Sequence, residues 1–201
     1  MILLTGANGK LGKELTKWLE VYTPSHLSMD IEKDITPLPK VDLIIHAAAY
    51  TNVERGEGES GSVLKTNVLG TYNLITAYPN IPFVYISSEY AAQPVNVYAK
   101  SKRMAELIVE QLCPKYLIIR TLFKPRPYPY EYAFTDQFTR GDYVDVIGKL
   151  VAMEIAKWDY ENKIVHIGTG RKTMFELAKQ TKPDVKPNSV LDMKVRLPND
   201  Y

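Results

Sequence analysis

The sequence lacks the features that mark disulfide-linked, metal-binding or membrane-embedded proteins. Its single cysteine, Cys113, excludes an internal disulfide framework and a cysteine-based metal site. No stretch approaches the roughly 18 apolar residues that a membrane-spanning helix needs, and the apolar opening is too short for the core of a signal peptide. We therefore expect a cytoplasmic protein without a membrane partner.

An excess of charge of one sign is equally absent. The 201 residues carry 25 lysines and arginines against 23 aspartates and glutamates, which gives a net charge of +2. A nucleic-acid-binding surface would need a dense basic patch, and no long run of like charges occurs. We therefore expect no nucleic-acid partner.

Short apolar runs alternate along the chain with segments whose apolar residues have helical spacing. This alternation predicts a parallel sheet with helices on both faces, which is a doubly wound α/β fold of the Rossmann type. The expected strands are residues 2–4, 26–29, 41–46, 83–86, 116–119 and 163–167. The expected helices are residues 10–22, 62–77, 97–111, 144–158 and 173–181.

The character of the sequence changes after Arg120, where residues 124–132 become rich in proline and tyrosine. Such a segment cannot form a regular helix. We expect a dinucleotide-binding domain in residues 1–121. Residues 122–201 are expected to form a small substrate lobe together with elements that return to the first domain, as one compact unit.

A glycine-rich turn follows the first strand and opens the first helix. Gly6 allows the tight turn, Gly9 lets the backbone approach a pyrophosphate, and Gly12 lets helix and strand pack closely. Free N–H groups at the helix N-terminus favour phosphate. An ordinary turn that happens to hold three glycines is the alternative. The residues expected to bind a nicotinamide dinucleotide here are Gly6, Asn8, Gly9, Lys10, Leu11 and Gly12.

Asp30 follows Gly12 by 18 residues, at the end of the second expected strand. A carboxylate there can accept hydrogen bonds from the adenosine ribose and would repel the extra phosphate of NADP. NAD is therefore the preferred cofactor, with NADP as the alternative. Asp34 and Ile35 are expected to flank the adenine. A surface turn aspartate is the competing interpretation of Asp30.

Tyr98 and Lys102 lie at i and i+4 near the start of an expected helix and so share one helical face. A free tyrosine titrates near 10. A neighbouring ammonium, with a positively charged nicotinamide, would lower that pKa and make the tyrosine an acid–base catalyst. Ser87 and Ser88 end the preceding strand, where a hydroxyl could position a substrate oxygen.

These motifs resemble those of the extended short-chain dehydrogenase/reductase family, within the NAD-dependent epimerase/dehydratase superfamily. The closest likeness is to the dTDP-4-dehydrorhamnose reductases. The stretches that carry it are TGANGKLGKEL (5–15), DLIIHAAAYTNVE (42–54), TNVLGTYNL (66–74), YISSEY (85–90) and NVYAKSKRMAE (96–106).

The resemblance implies a role for several residues. Ser88, Tyr98 and Lys102 would be the catalytic residues, with Tyr98 as proton donor and Lys102 also binding the nicotinamide ribose. Asn67 would support the site. It further implies a homodimer formed by helices 62–77 and 97–111. The residues implied to line the cofactor are His46, Ala47, Ala48 and Ala49.

The chain also departs from the family pattern. Ala99 replaces the usual glycine after the tyrosine, Ser88 replaces a threonine, and Glu89 replaces an aspartate. Only ten positions separate Ser88 from Tyr98, about half the family's usual spacing, and residues 122–141 look shorter than the usual substrate region. A reduced C-terminal substrate lobe is therefore expected.

Four residues are candidates for substrate contact: Tyr50, Glu89, Arg126 and Arg196. Arginine suits bidentate contacts with phosphate, although a solvated loop arginine is an equally good interpretation of Arg126.

The sequence thus predicts an NAD(P)-dependent oxidoreductase that acts on a keto group of a nucleotide-linked sugar. Two alternatives stay open. One is a nucleotide-sugar epimerase or dehydratase with tightly bound NAD, and the other is a non-catalytic NAD(P)-binding subunit that has lost its substrate lobe.

Overall fold

Five parallel strands form the central sheet of the computed structural model, which describes residues 1–199. Their order in the sheet is the order in which they occur in the chain. The strands are β1 (Ile2–Thr5), β2 (Leu43–His46), β3 (Phe83–Ser88), β4 (Tyr116–Thr121) and, after four short strands outside this sheet, β9 (Lys163–Ile167).

Burial explains why the strands take these positions. Every residue of β2 and β3 is buried, as a strand covered on both faces requires. In β9 half-buried and exposed residues alternate, because it is an edge strand. The predicted parallel sheet of the Rossmann type is therefore confirmed.

Helices cover both faces of this sheet, as the sequence predicts. One face packs against α1 and α6 through a core that includes Leu15 and Val151. The other face packs against α4 and α5 around Leu74 and Val109. The helices are α1 (Lys10–Leu15), α2 (Val53–Gly58), α3 (Ser60–Leu64), α4 (Gly70–Ala77), α5 (Val97–Leu112), α6 (Val144–Ala156) and α7 (Met174–Lys179).

Among residues 1–199, three short strand pairs lie outside the main sheet, in the part of the chain that also forms a third, smaller core. That core contains Tyr128, Tyr143, Met174 and Leu177. The pairs are β5 (Phe123–Lys124) with β8 (Asp142–Tyr143), β6 (Tyr132–Phe134) with β11 (Lys186–Asn188), and β7 (Phe138–Thr139) with β10 (Lys172–Thr173). The proposed division of the chain near residue 121 stays a prediction.

The expected strand at residues 26–29 is wrong, because this segment forms a turn. The Ser28 backbone and hydroxyl both bond to Ser25, which closes the turn. Tyr22 instead pairs with the open side of β1. Its N–H donates to the Ile2 carbonyl, and its carbonyl accepts from the Leu4 N–H. Local serine hydrogen bonds therefore override the short apolar pattern.

Two helical predictions also differ from the structure. The expected helix at residues 10–22 ends after Leu15 and continues as turns. The expected helix at residues 62–77 is three joined segments, with a π-helical turn at Lys65–Leu69 between α3 and α4. A π turn accommodates one extra residue and is often found at functional sites. Within residues 1–199 no helix is long and apolar enough to cross a bilayer.

Candidate active site

A cleft of about 720 Å³ opens at the edge of the sheet where the carboxyl ends of the parallel strands meet. Doubly wound sheets bind their ligands in this crevice. The cleft is lined by Thr5, Ser88 and Thr121, which are the last residues of β1, β3 and β4. The topology therefore places strand ends that are far apart in sequence around one space.

The glycine-rich turn forms part of the cleft wall. Gly6 has a φ of +75°, and a Cβ there would lie 2.4 Å from the backbone nitrogen of Ala48. A Cβ on Gly12 would lie 2.2 Å from the carbonyl oxygen of Gly6. Only glycine permits both approaches. The residues predicted to bind the cofactor that line the cleft here are Gly6, Asn8, Gly9, Lys10, Leu11, Gly12, Ala47, Ala48 and Ala49.

Ser88, Tyr98 and Lys102 line this same cleft. The Asn96 side chain caps α5 by accepting a hydrogen bond from the Ala99 N–H at 2.8 Å, which fixes the start of the helix next to Tyr98. The Ser88 hydroxyl accepts a bond from the Tyr90 N–H at 3.2 Å. The helix start and the strand end therefore present their hydroxyl and amino groups to one space.

Lys102 is deeply buried, with 2% of its surface exposed. Its Nζ donates to the Ile86 carbonyl at 2.7 Å and lies 4.2 Å from the centre of the Tyr85 ring. Burial lowers the pKa of Lys102 to about 7, because a charged group is poorly solvated there. Its positive charge is therefore lost as the pH rises through neutrality.

Burial raises the pKa of Tyr98, while its interaction with the Ser88 side chain acts in the opposite direction. This differs from the expectation that Lys102 lowers it. The Lys102 ammonium donates to the Ile86 carbonyl instead, so desolvation decides the direction for the phenol.

A buried carboxylate connects α5 to the two central strands. Glu106 is fully buried and accepts hydrogen bonds from Ser87 at 2.6 Å, from Arg120 at 2.7 and 2.9 Å, and from Arg103 at 2.9 Å. Ser87 precedes Ser88, and Glu106 lies one helical turn after Lys102. The ion cluster therefore fixes the position of Ser88 on β3 relative to Lys102 on α5. Glu106 could not be recognised from the sequence, because a single glutamate in a helix forms no motif.

His46 and Asn67 lie behind the cleft wall rather than in it. The His46 ring bonds to Thr5 at 2.6 Å and to Thr71 at 3.1 Å, and burial lowers its pKa to about 3, so it is neutral. The Asn67 amide bonds to the Tyr50 backbone and donates to Ser101 on α5. Both side chains join elements around the site, and neither is placed to contact a ligand in the cleft.

Three residues expected at the adenosine end line a neighbouring cavity of about 300 Å³: Asp30, Asp34 and Ile35. His26 and Met29 line both spaces, so the two adjoin. The Asp30 carboxylate accepts from the Glu32 N–H and pairs with Lys33 at 3.1 Å, and these bonds lower its pKa. Glu32, which sequence reasoning did not select, lines the main cleft.

The four candidate substrate contacts lie away from the cleft lining. The Tyr50 hydroxyl donates to Glu59. The buried Glu89 accepts from Thr139 at 2.6 Å.

The two arginine candidates also have other partners. Arg126 pairs with Asp145 at 3.1 Å and covers the Tyr143 ring. The exposed Arg196 contributes its carbonyl to the Asn96 side chain. Single residues in irregular segments carry no periodicity, so their positions did not follow from the sequence.

The segment that follows β4 contributes cleft residues that sequence reasoning missed. They are Leu122, Phe123, Lys124, Pro125 and Tyr130. Their position directly after a predicted parallel strand was the signal available, because crevice loops follow strand ends. Within the described part of the chain, residues 1–199, the charged lining of the cleft is mostly positive: Lys10, Lys102 and Lys124 contribute ammonium groups, and Glu32 contributes the single carboxylate.

A profile of the RmlD substrate binding domain family matches residues 1–124. The dTDP-4-dehydrorhamnose reductase of Aggregatibacter actinomycetemcomitans is 34% identical over 147 residues, which cover 60% of this chain and 50% of that protein. The chain thus spans about half the length of the curated relatives it matches. The predicted resemblance is confirmed by these matches.

Solved structures are similar over nearly the whole chain. The dTDP-4-dehydrorhamnose reductase of Bacillus anthracis, in complex with NADP, is 26% identical with a TM-score of 0.80, and the match covers 99% of this chain and 88% of that one. The corresponding protein of Clostridium acetobutylicum has a TM-score of 0.84 at 23% identity, with the same coverage. The second likeness supports the fold alone.

The Glu106 cluster predicts a large difference between two neighbouring glutamates. Glu106→Ala should lower the free energy of unfolding by about 3 kcal/mol, because it leaves Arg120 without its buried partner. Glu110→Ala, the matched control, removes a partly exposed partner of Arg103 and should cost less than about 1 kcal/mol. Urea unfolding measures both. Equal small losses would show that Glu106 does not anchor the helix.

Proposed function

The chain belongs to the RmlD substrate binding domain family, and on this premise we propose that it is an NAD(P)-dependent reductase of a keto group on a nucleotide-linked sugar. The observation that carries the proposal is the convergence of the glycine-rich turn with Ser88, Tyr98 and Lys102 on one cleft. The similarity to a reductase structure that holds NADP supports the cofactor class.

The residues of the cleft fit such a dinucleotide. Gly9 of the turn lines the cleft, and its missing side chain leaves the backbone open to a diphosphate. The mostly positive lining suits the charge of that group. Lys102 would bind the ribose next to the nicotinamide. When bound in its reduced form, the nicotinamide supplies the hydride that reaches the carbonyl carbon.

Residues of the chain then orient and protonate the oxygen of that carbonyl. The Ser88 hydroxyl donates a hydrogen bond that orients the oxygen. The Tyr98 hydroxyl gives it a proton as the C–O double bond becomes a single bond, and the product is an alcohol. Because burial raises the pKa of Tyr98, the phenol keeps its proton at neutral pH until the oxygen gains charge.

Lys102 stabilises the phenolate that Tyr98 leaves behind. The two residues share one face of α5 at i and i+4, and Lys102 is deeply buried, so little water screens its charge. The Tyr85 ring beneath the ammonium favours the charged form, which opposes the cost of burial. With the pKa of Lys102 near 7, this support weakens as the pH rises above neutrality.

The test of this function is a reaction screen with NADH, NADPH and a panel of 4-keto nucleotide sugars. Consumption of the reduced cofactor supports the reductase. NAD that copurifies and is not exchanged, with turnover of a sugar but no net consumption of cofactor, would instead identify an epimerase or dehydratase. Cofactor binding without any turnover would identify a non-catalytic subunit.

Tyr98→Phe should lower turnover by roughly a hundred- to ten-thousand-fold, the usual cost of losing a general acid. The cofactor affinity of Tyr98→Phe should stay nearly unchanged. Lys102→Ala should reduce both turnover and cofactor affinity, and Ser88→Ala should reduce turnover alone. Tyr160→Phe is the control, because Tyr160 precedes β9 and so lies at the opposite edge of the sheet. Steady-state rates and cofactor titrations measure these effects. Near wild-type turnover in Tyr98→Phe would assign the proton to another residue.

We further propose that NAD(H) binds more tightly than NADP(H). Two carboxylates, Asp30 and Glu32, lie at one end of the site and would repel an additional phosphate. Because Glu32 lines the cleft and Asp30 the adjoining cavity, Glu32→Gln should narrow the preference more than Asp30→Asn. Calorimetric titration of both cofactors is the measurement. Equal or tighter binding of NADP(H) to the wild type would refute the preference.

A homodimer is the proposed assembly. Exposed apolar side chains on the π turn, α4 and α5 support it, among them Leu69, Tyr72, Met104 and Leu107. Light scattering at micromolar concentration should report twice the chain mass, and Leu107→Glu should return the monomer. Leu191→Glu changes an exposed leucine outside these helices and should leave the mass unaltered. A monomeric wild type would remove this proposal.

A further inference from the structure

Lys124 lines the cleft but takes no part in the reaction just described. It ends β5, where its backbone pairs with Tyr143 of β8, so the start of this segment is fixed. Its side chain is half-buried, and its Nζ lies 5.3 Å from the centre of the Tyr130 ring. Lys10 of the glycine-rich turn lines the same cleft.

Neither lysine forms an ion pair with another residue of the described range 1–199. The carboxylates on the elements that pack against β5 are engaged elsewhere. Asp142 of β8 lies 3.5 Å from Lys172, and Asp145 of α6 lies 3.1 Å from Arg126. On α1, Glu14 is paired with Lys17. Glu32 lines the cleft as well, but its carboxylate is paired with Lys65 at 3.2 Å. Among the described residues, Lys10 and Lys124 therefore face the cleft without an acidic partner of their own.

Lys10 and Lys124 line one cleft, and the charge of Lys10 affects the titration of Lys124. Burial, and then the positive charge of Lys10, lower the pKa of Lys124 to about 8. Holding like charges together in a partly desolvated cleft costs free energy. An anion between them would relieve that cost, so the two lysines favour a negatively charged ligand.

We propose that Lys10 and Lys124 together bind the diphosphate group of a nucleotide ligand in the cleft. A lysine ammonium binds phosphate as a point charge, and the aromatic ring of Tyr130 beside Lys124 reduces its exposure to water. The proposal rests on the function proposed above, in which two ligands carry a diphosphate, the dinucleotide and the nucleotide sugar. The position of Lys10 in the glycine-rich turn favours the dinucleotide.

Binding of an anion should also restore the proton of Lys124. Since the free lysine titrates near pH 8, part of the protein lacks this proton at that pH and must take it up to bind the diphosphate. Affinity should therefore fall as the pH rises from 7 to 9. Lys102 titrates in the same cleft near pH 7 and also contributes to the pH dependence of affinity. The contribution of Lys124 is therefore obtained by comparing the pH dependence of the wild type with that of Lys124→Met.

The experiment is a calorimetric titration of ADP-ribose, adenosine and dTDP into the wild type, Lys124→Met and Lys10→Met. ADP-ribose should bind roughly tenfold more weakly to each variant, since one charged contact is lost, whereas adenosine should be unaffected. Lys124→Arg keeps the charge and should retain most of the affinity. Lys100→Met removes an exposed lysine of α5 and is the control. Thermal melting verifies that each variant is folded.

Proton uptake is measured by repeating the ADP-ribose titration at pH 8 in two buffers with different ionisation enthalpies. The wild type should take up more protons than Lys124→Met, and its affinity should depend more steeply on pH between 7 and 9. A structural role of Lys124 would not produce this difference.

The outcomes separate the two ligands and the two proposals. Weaker binding of dTDP with unchanged ADP-ribose supports the lysine pair and assigns it to the nucleotide sugar. Unchanged affinity for both diphosphates, or an equal loss for adenosine and ADP-ribose, overturns it. If ADP-ribose binding depends on Lys124 but no sugar is reduced, the lysine pair stands and the proposed reductase fails.

Discussion

The buried carboxylate of Glu106 is the interaction on which the cleft depends. One anion without access to water accepts hydrogen bonds from β3, β4 and α5 at once. A buried charge is tolerated only when its partners are all in place, so the helix and the two strands must meet in a single register. That register brings the α5 residues Tyr98 and Lys102 next to Ser88. Loops close the cleft, but this ion cluster sets the positions of the groups within it.

The sequence predicted the central strands well because their burial leaves a strong pattern. A strand covered on both faces must be apolar along most of its length, and residues 43–45, 83–86 and 116–119 are apolar throughout. The segment at residues 26–29 holds only two apolar residues, Leu27 and Met29. Ser25 closes a turn there, and Tyr22 takes the place beside β1. The π turn within residues 62–77 could not be predicted, because one extra residue hardly alters the apolar spacing of a helix.

The sequence predicted the site residues only where a functional residue lies at the end of a strand or the start of a helix. The glycine-rich turn, Ser88 and the Tyr98–Lys102 pair each occur at the end of a strand or the start of a helix, and the topology gathers such ends at one edge. Asp30, Arg126 and Arg196 lie in irregular segments, and Glu89 begins a short 3-10 helix. At such positions the direction of a side chain depends on distant partners such as Thr139 or Asp145. Their roles stay predictions.

The order of the strands has a consequence for synthesis on the ribosome. Since β1 to β4 neighbour one another in chain order, each emerging strand can pair with the one made before it. The outer partner of β4 is β9, whose last residue Ile167 follows Thr121 by 46 residues. At about 5–20 residues per second this delay lasts roughly 2–9 s. For that time β4 is an open edge, and open edges invite pairing with other chains, so the nascent protein is most exposed to aggregation while residues 122–167 are being translated.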